Sequence, residues 1–114
     1  MADRKRVRRV SELIRQIVSE TLMFKVKNPD AQNISVHGVE VAENLRHVKI
    51  FVVPGGDKAQ IEKAMAALEK SKGFVRKQIS DQTDLKFAPE LNFVYDESLD
   101  RADHIEALLR NIKR

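Results

Sequence analysis

The spacing of the apolar residues changes along this chain from a helical period to an alternating period and back again. Residues 3–25 carry one apolar face at helical spacing, with Asp3 as the predicted helix cap. Residues 33–41 and 46–53 alternate as strands do. A second helical pattern follows, with Asp57 predicted as its cap and Gln60 at the reciprocal capping position. An alternating run covers residues 90–96, and a last helical pattern covers residues 102–112. This order predicts an α+β fold in which three strands form one sheet and the helices pack on one face of it.

The first strand pattern predicts a specific irregularity. Within residues 33–41 the apolar positions change parity midway. A slip of this kind at His37–Gly38 is typical of a β-bulge, because the extra residue of a bulge shifts the alternation by one. The turn residues Glu43 and Asn44 follow, so the two alternating runs are expected to pair as an antiparallel hairpin.

The second helical pattern is interrupted at Ser71–Gly73. Glycine inside a helix costs about 1 kcal/mol relative to alanine, so a break or kink is expected there. Beyond it, Phe74 and Val75 are expected to return to the core while Lys72 and Arg76 face outward. The complete predicted order is helix, strand, strand, helix, kink, helix, strand, helix, with a core that includes Val10, Ile14, Ile17, Ile50, Val52, Leu68, Ile79, Leu91 and Phe93.

Length and composition exclude several classes of protein. A chain of 114 residues suffices for one domain and is too short for two, so residues 1–114 are predicted to form a single domain. The lack of cysteine excludes a disulfide scaffold, a thiolate metal site and a cysteine nucleophile. No apolar run approaches the roughly 20 residues of a membrane span, and the first residues lack the apolar stretch of a signal peptide. We therefore expect a cytoplasmic protein with no membrane partner.

The positive charge is concentrated at the two ends of the chain. The net charge is +4, but residues 1–27 hold eight Lys or Arg against three acidic residues, and residues 110–114 hold three against none. The middle of the chain is mildly acidic. Such polarity suggests a polyanionic partner, nucleic acid before membrane, although basic termini that serve only solubility would have the same composition.

Residues that could support catalysis are scattered. His37, His47 and His104 form no paired metal-ligand motif, and no Gly-x-Ser-x-Gly turn is present. Gly55-Gly56 lacks the lysine and hydroxyl residue of a phosphate-binding loop, and the small acidic clusters are explained by helix capping. We expect a non-enzymatic protein with no metal and no cofactor.

Two basic segments are candidates for contact with nucleic-acid phosphate. Five basic residues lie within Arg4–Arg9, which exceeds what a solvated salt-bridge row around Glu12 needs, although such a row is the alternative. The second segment surrounds Gly73, where a second helix start would offer backbone N–H groups to phosphate; a plain kink with charged flanks is the alternative. The predicted contacts are Arg4, Lys5, Arg8, Arg9, Arg15, Lys70, Lys72, Arg76 and Lys77, with Ser71 and Gly73 at the kink.

The predicted order of elements resembles a known RNA-binding fold. Helix–strand–strand–helix–helix–strand is the order of the type II KH domain, which clamps nucleotide backbone with Gly-x-x-Gly between its paired helices. This chain has Ser71-Lys72-Gly73 there instead. That departure, with its flanking sequence, resembles the ribosome-binding factor A family, in which a kink of small-residue–x–Gly form replaces the clamp. The matching stretches are Arg9-Val10 running into Ile14 and Ile17, Val39 to Leu45, Val48 to Val52, Gly73 to Arg76, and Pro89 to Ser98.

The resemblance spans nearly the whole chain, and its most specific part is Pro89-Glu90-Leu91-x-Phe93 with Asp96 three residues on. It implies a factor of ribosome biogenesis that binds the immature small ribosomal subunit and contacts its rRNA near the 5′ end and the neck. It also implies help with late maturation, rRNA processing and growth in the cold, and release by a ribosome-associated GTPase.

Two departures from the family pattern affect these expectations. Ser71 stands where the family usually has alanine, which still permits a tight kink, and the chain ends soon after Ile112 without the longer tail of some members. We expect a monomer. The alternative is a protein–protein interaction module that uses an exposed sheet edge, with the basic surface incidental.

Overall fold

The structure, a computed structural model, describes residues 4–97. The helix cap predicted at Asp3 and the last helix predicted over residues 102–112 lie outside the described residues. The described elements, in chain order, are α1 (Arg4–Glu20), a π-helical turn (Thr21–Lys25), a 3-10 turn (Pro29–Ala31), β1 (Ile34–Val41), β2 (His47–Pro54), α2 (Lys58–Gln82) and β3 (Glu90–Tyr95).

The three strands form one mixed sheet in the order β1-β2-β3. β1 and β2 pair as the predicted antiparallel hairpin, whereas β3 runs parallel to β2 with Phe93 opposite Ile50. α1 packs on β1, and α2 packs on β2 and β3. The predicted α+β fold, with helices on one face of a three-stranded sheet, is confirmed. The buried strand residues that face the helices alternate within each strand: Val48, Ile50 and Val52 in β2, and Leu91 and Phe93 in β3.

The β-bulge predicted at His37–Gly38 is present. Val36 pairs with Val52 and Gly38 pairs with Phe51, so His37 is the extra residue of β1. The bulge reverses the parity of β1 and keeps the apolar residues on both sides of it directed at α1.

α1 ends in a wide turn that is followed by a clear stop signal. The backbone N–H of Val26 donates to the carbonyl of Thr21 at 3.0 Å, which closes the π-helical turn. The Asn28 side chain then accepts from the backbone N–H of Asp30 at 3.0 Å and caps the 3-10 turn, with Pro29 at its start. The helix predicted over residues 3–25 is therefore confirmed for the described residues, with a π-helical last turn.

α2 begins with the predicted capping box. The Asp57 carboxylate accepts from the backbone N–H of Gln60 at 2.9 Å, and the Gln60 side chain accepts from the backbone N–H of Asp57 at 2.7 Å. These reciprocal bonds satisfy two of the N–H groups that a helix start leaves without partners.

The break predicted at Ser71–Gly73 is wrong, because α2 is one continuous helix from Lys58 to Gln82. Gly73 lies on the exposed side of the helix, with nothing within 4 Å of the position that a Cβ would take. Leu68 and Val75, seven residues apart and both buried, stay on one face through this region. Their packing offsets the cost of about 1 kcal/mol that a glycine imposes on a helix. An axial bend within the unbroken helix stays a prediction.

The core lies between the two helices and the sheet. Of the nine residues predicted there, eight are buried, and Val10 is half-buried against the same cluster. The prediction that Phe74 returns to the core is wrong, since 42% of this residue is exposed. It lies one position before Val75, and a rotation of 100° per residue is enough to turn it away from the sheet.

Candidate nucleic-acid interface

The first two turns of α1 present an exposed set of cations. Arg4, Lys5, Arg8 and Arg9 are all exposed, and the first turn of the helix holds no acidic residue. Cations at a helix N-terminus oppose the helix macrodipole, which favours acidic residues there. The first-turn cations Arg4 and Lys5 therefore gain nothing from the helix dipole, which favours a role in binding an external anion.

Arg8 and Arg15 lie two turns apart on the side of α1 that faces the bulge in β1. Together with Gly38 and Val39 they line an open surface cavity of about 460 Å³. Gly38 has no side chain, so the cavity is open beside the bulge. The cavity places two guanidinium groups at the β1 edge of the sheet.

Arg15 is already engaged by a neighbouring carboxylate, whereas Arg8 is not. The Arg15 guanidinium donates to both carboxylate oxygens of Glu12. The hydrogen bond from Arg15 lowers the pKa of Glu12, and the same bond raises the pKa of Arg15. Among residues 4–97, no carboxylate lies within 4 Å of the Arg8 side chain. The salt-bridge row considered for α1 is thus half formed, and Arg8 keeps its charge for another partner.

The basic residues of α2 divide into two kinds. Lys70 and Lys77 are exposed, and their spacing of seven residues puts them on one side of the helix. Lys72 is half-buried, and its Nζ lies 2.8 Å from the carboxylate of Glu69. Arg76 is half-buried and donates to backbone carbonyls just before β3, from Nε to Pro89 at 3.0 Å and from Nη2 to Ala88 at 3.3 Å. The expectation that Arg76 faces outward is wrong, because the chain before β3 offers it two carbonyl acceptors.

The phosphate site predicted at the start of a second helix is also corrected. Since α2 runs unbroken through Ser71 and Gly73, the backbone N–H groups of this segment belong to the helix. They are not available as a cradle for phosphate, and side chains are left as the groups of α2 that could contact an anion.

The predicted residues do not form one continuous patch. Arg8 and Arg15 lie at β1, whereas Arg76 holds the segment that leads into β3, and β1 and β3 are the two opposite edges of the sheet. An anion that contacts both Arg8 and Arg76 must therefore extend from one edge of the sheet to the other, as a folded nucleic acid can.

A further basic group, which the sequence pattern did not reveal, surrounds Phe87 in the loop between α2 and β3. The guanidinium carbon of Arg46 lies 4.4 Å from the centre of the Phe87 ring, and the Nζ of Lys86 lies 5.6 Å from it. Arg6 lines a surface cavity together with Arg46, Lys86 and Phe87. The adjacent Lys86-Phe87 was a visible signal, but its pairing with Arg46, 41 positions away, depends on the fold.

No helix among residues 4–97 has the length and apolar character that crossing a membrane requires. In the same part of the chain, no three acidic or histidine side chains are grouped so that they could hold a metal ion.

Comparison with known proteins gives one consistent result. The family model described as "Ribosome-binding factor A" matches residues 6–109. A ribosome-binding factor A from Halothermothrix orenii is 39% identical over 110 residues, which covers 96% of this chain and 90% of that protein.

Solved structures show the same fold. The crystal structure of ribosome-binding factor A from Thermus thermophilus matches with a TM-score of 0.69 at 13% identity, and covers 78% of this chain and 94% of that one. A homology model of the Thermus thermophilus factor, fitted into the cryo-EM map of a complex with the 30S particle, matches with a TM-score of 0.63 at 14% identity. It covers 76% of this chain and 91% of that one.

Proposed function

This chain belongs to the ribosome-binding factor A family, and from that premise we propose that it binds the immature small ribosomal subunit through rRNA. The observation that carries the proposal is the cationic start of α1, where exposed basic residues stand against the helix dipole and Arg8 has no carboxylate partner among residues 4–97. The Thermus thermophilus relative fitted into the map of a 30S complex supports the same partner.

In this proposal α1 supplies most of the affinity. Arg8 and Arg9 bind phosphate oxygens, and Arg15 joins them when phosphate competes with Glu12 for its guanidinium. Lys70 and Lys77 contact a second stretch of backbone from α2. Each phosphate that is neutralised releases counterions, so the binding is strongly salt-dependent.

Recognition follows RNA shape more than base sequence. The chain has no Gly-x-x-Gly, so it lacks the residues with which KH domains clamp a short single strand. Phosphate contacts fix the position of a protein on RNA and carry no sequence information themselves. Two separated basic surfaces suit a particular arrangement of rRNA helices on the immature subunit.

The biological role that we infer is help with late maturation of the small subunit, including rRNA processing and growth in the cold. The protein acts as a monomer in the cytoplasm and catalyses no reaction. A ribosome-associated GTPase releases it when the rRNA around it reaches its mature arrangement.

Co-sedimentation with immature and mature small subunits tests the proposal. We expect the protein to sediment with immature particles and to bind mature particles more weakly. Equal binding to both particles would contradict a role in maturation. Binding to neither would contradict the proposed function, and binding that persists at high salt would favour the protein–protein interaction module.

A further inference from the structure

Phe87 is a surface phenylalanine with two cations close to its ring. Half of it is exposed, and it lies in the loop between α2 and β3, two residues before the buried Pro89. The Arg46 guanidinium lies over its ring at 4.4 Å, and the Lys86 ammonium lies 5.6 Å from the ring centre. Both cations are within the distance at which a ring quadrupole attracts positive charge.

The chain holds Arg46 in position from three directions. In the β1–β2 turn, the backbone N–H of Leu45 donates to the carbonyl of Ala42 at 2.8 Å, and that of Arg46 donates to Asn44 Oδ1 at 3.0 Å. The carbonyl of Arg46 accepts from the N–H of Glu90 at 2.8 Å, which ties the turn to the start of β3. Leu45 adopts a left-handed conformation with φ of 62°, which is uncommon outside glycine. Such conformations persist where the surroundings hold them, and they cluster at binding sites.

Surface cavities lie on two sides of the Phe87–Arg46 pair. One, of about 230 Å³, is lined by Arg6, Asn44 and Lys86 among others. The other, of about 310 Å³, is lined by His47, Arg76 and Glu90 among others. Both lie at or below the lower end of the range of roughly 300–1,000 Å³ that drug-sized ligands occupy. They suit one flat ring better than a larger molecule.

The cations around the ring have no carboxylate partner in the described part of the chain. Among residues 4–97, no carboxylate lies within 4 Å of the Arg6, Arg46 or Lys86 side chains. Three unneutralised cations around one exposed aromatic ring disfavour an apolar peptide. The same arrangement favours a ligand that combines a flat ring with negative charge, which is the chemistry of a nucleotide.

We propose that Phe87 and Arg46 form a stacking subsite for one unpaired nucleobase of the rRNA, with Arg6 and Lys86 on the neighbouring phosphates. This inference rests on the proposed RNA-binding function and adds a contact that the basic helices do not provide. Every base has a π-face, so stacking on Phe87 and on the planar guanidinium of Arg46 tolerates sequence and agrees with recognition by shape.

Substitution of Phe87 tests the subsite in the full chain. Stacking of one base is worth enough that we expect Phe87→Ala to weaken binding to immature subunits by about 5- to 150-fold. Phe87→Leu, which keeps apolar bulk and loses the π-face, should show a similar loss of affinity. Phe87→Trp, which keeps a π-face, should bind as the unaltered protein does. Phe24 is a matched control, since it is also an exposed phenylalanine (76%) and lies in the π-helical turn after α1, outside this cluster, so Phe24→Ala should bind as the unaltered protein does.

The salt dependence separates stacking from charge. Phe87→Ala should leave the slope of log affinity against log salt unchanged, because no phosphate contact is removed. Lys86→Ala, which removes one of the proposed phosphate contacts, should reduce the size of that slope by roughly 0.7 to 0.9, the value of one such contact.

Fluorescence gives a direct readout of stacking. The chain has no tryptophan, so Phe87→Trp creates a single reporter at the subsite. Titration with protein-free small-subunit rRNA should quench its emission, and the matched Phe24→Trp variant should keep its emission.

Failure of this inference is distinguishable from failure of the proposed function. If Phe87→Ala and Phe87→Leu bind normally while charge reversal at Arg8 and Arg15 weakens binding, the RNA-binding function stands and the subsite is refuted. A lower melting temperature of Phe87→Ala with unchanged subunit affinity would also refute it, because the ring would then only hold its loop. If the unaltered protein does not bind the subunit, both proposals are refuted.

Discussion

Replacing Arg76 with alanine separates its observed structural contacts from its predicted contact with RNA. The guanidinium donates to the carbonyls of Pro89 at 3.0 Å and Ala88 at 3.3 Å. Pro89 directly precedes β3 and is almost fully buried, so little water can reach its carbonyl when the arginine is removed. We expect Arg76→Ala to destabilise the entry into β3.

The magnitude follows from the two bonds. A hydrogen bond from a charged donor contributes about 1.5–3 kcal/mol net. The bond to Pro89 has good length, the bond to Ala88 is long, and the side chain is only half-buried, so the pair together contributes roughly 2–4 kcal/mol. For a chain of this size, 1 kcal/mol corresponds to about 4 °C, which gives a melting temperature lower by about 8–16 °C.

Thermal and urea unfolding followed by circular dichroism measure this loss. Lys77→Ala is the matched control, because Lys77 is the next residue and is exposed, so its loss should stay within about 0.5 kcal/mol. Arg76→Lys keeps the charge but cannot reach two carbonyls with a planar fork, so an intermediate loss is expected. If Arg76→Ala melts with the unaltered protein and yet loses subunit binding, Arg76 is an RNA contact and the reasoning above is wrong.

Three further predictions address the interface and the core. Charge reversal by Arg8→Glu with Arg15→Glu should weaken subunit binding and flatten its salt slope without unfolding the protein. Reversal of the exposed Lys27 and Lys63 is the control and should have a smaller effect. Equal effects of the two reversals in co-sedimentation would show that only net charge matters. Because the hydrogen bond from Arg15 lowers the pKa of Glu12, that carboxylate stays charged and holds Arg15 until the pH falls through the lowered pKa. Glu12→Gln should therefore raise subunit affinity at neutral pH and steepen the salt slope by up to about 0.9, and an unchanged slope would argue against phosphate contact by Arg15. Phe93→Ala should lower the free energy of unfolding by about 3–5 kcal/mol in urea, with the exposed neighbour Asn92→Ala as control, and a neutral result would contradict the buried position of this ring.

Local patterns predicted the parts of the fold that local physics decides. The change of parity in residues 33–41 identified the bulge at His37, because alternation leaves no other account of the slip. The capping residues Asp57 and Gln60 identified the start of α2 for the same kind of reason. In both cases the residues that carry the signal lie within a few positions of each other in the sequence.

The errors arose where distant parts of the chain decide the outcome. Gly73 is a weak helix residue, but packing of Leu68 and Val75 against the sheet keeps the helix unbroken, and that packing is not visible in a local window. Arg76 looked like one more surface cation, because its carbonyl partners lie 12 and 13 positions away. The pairing of Arg46 with Phe87 depends on the fold in the same way.

The salt dependence of binding to immature small subunits tests the central claim most directly. If about six phosphate contacts hold the protein on rRNA, a plot of log affinity against log salt concentration should be linear with a slope of roughly −4 to −5. The measurement is co-sedimentation of the unaltered protein across a salt series. A slope near zero with affinity retained would contradict RNA binding through the basic surfaces and would favour an interface with protein alone.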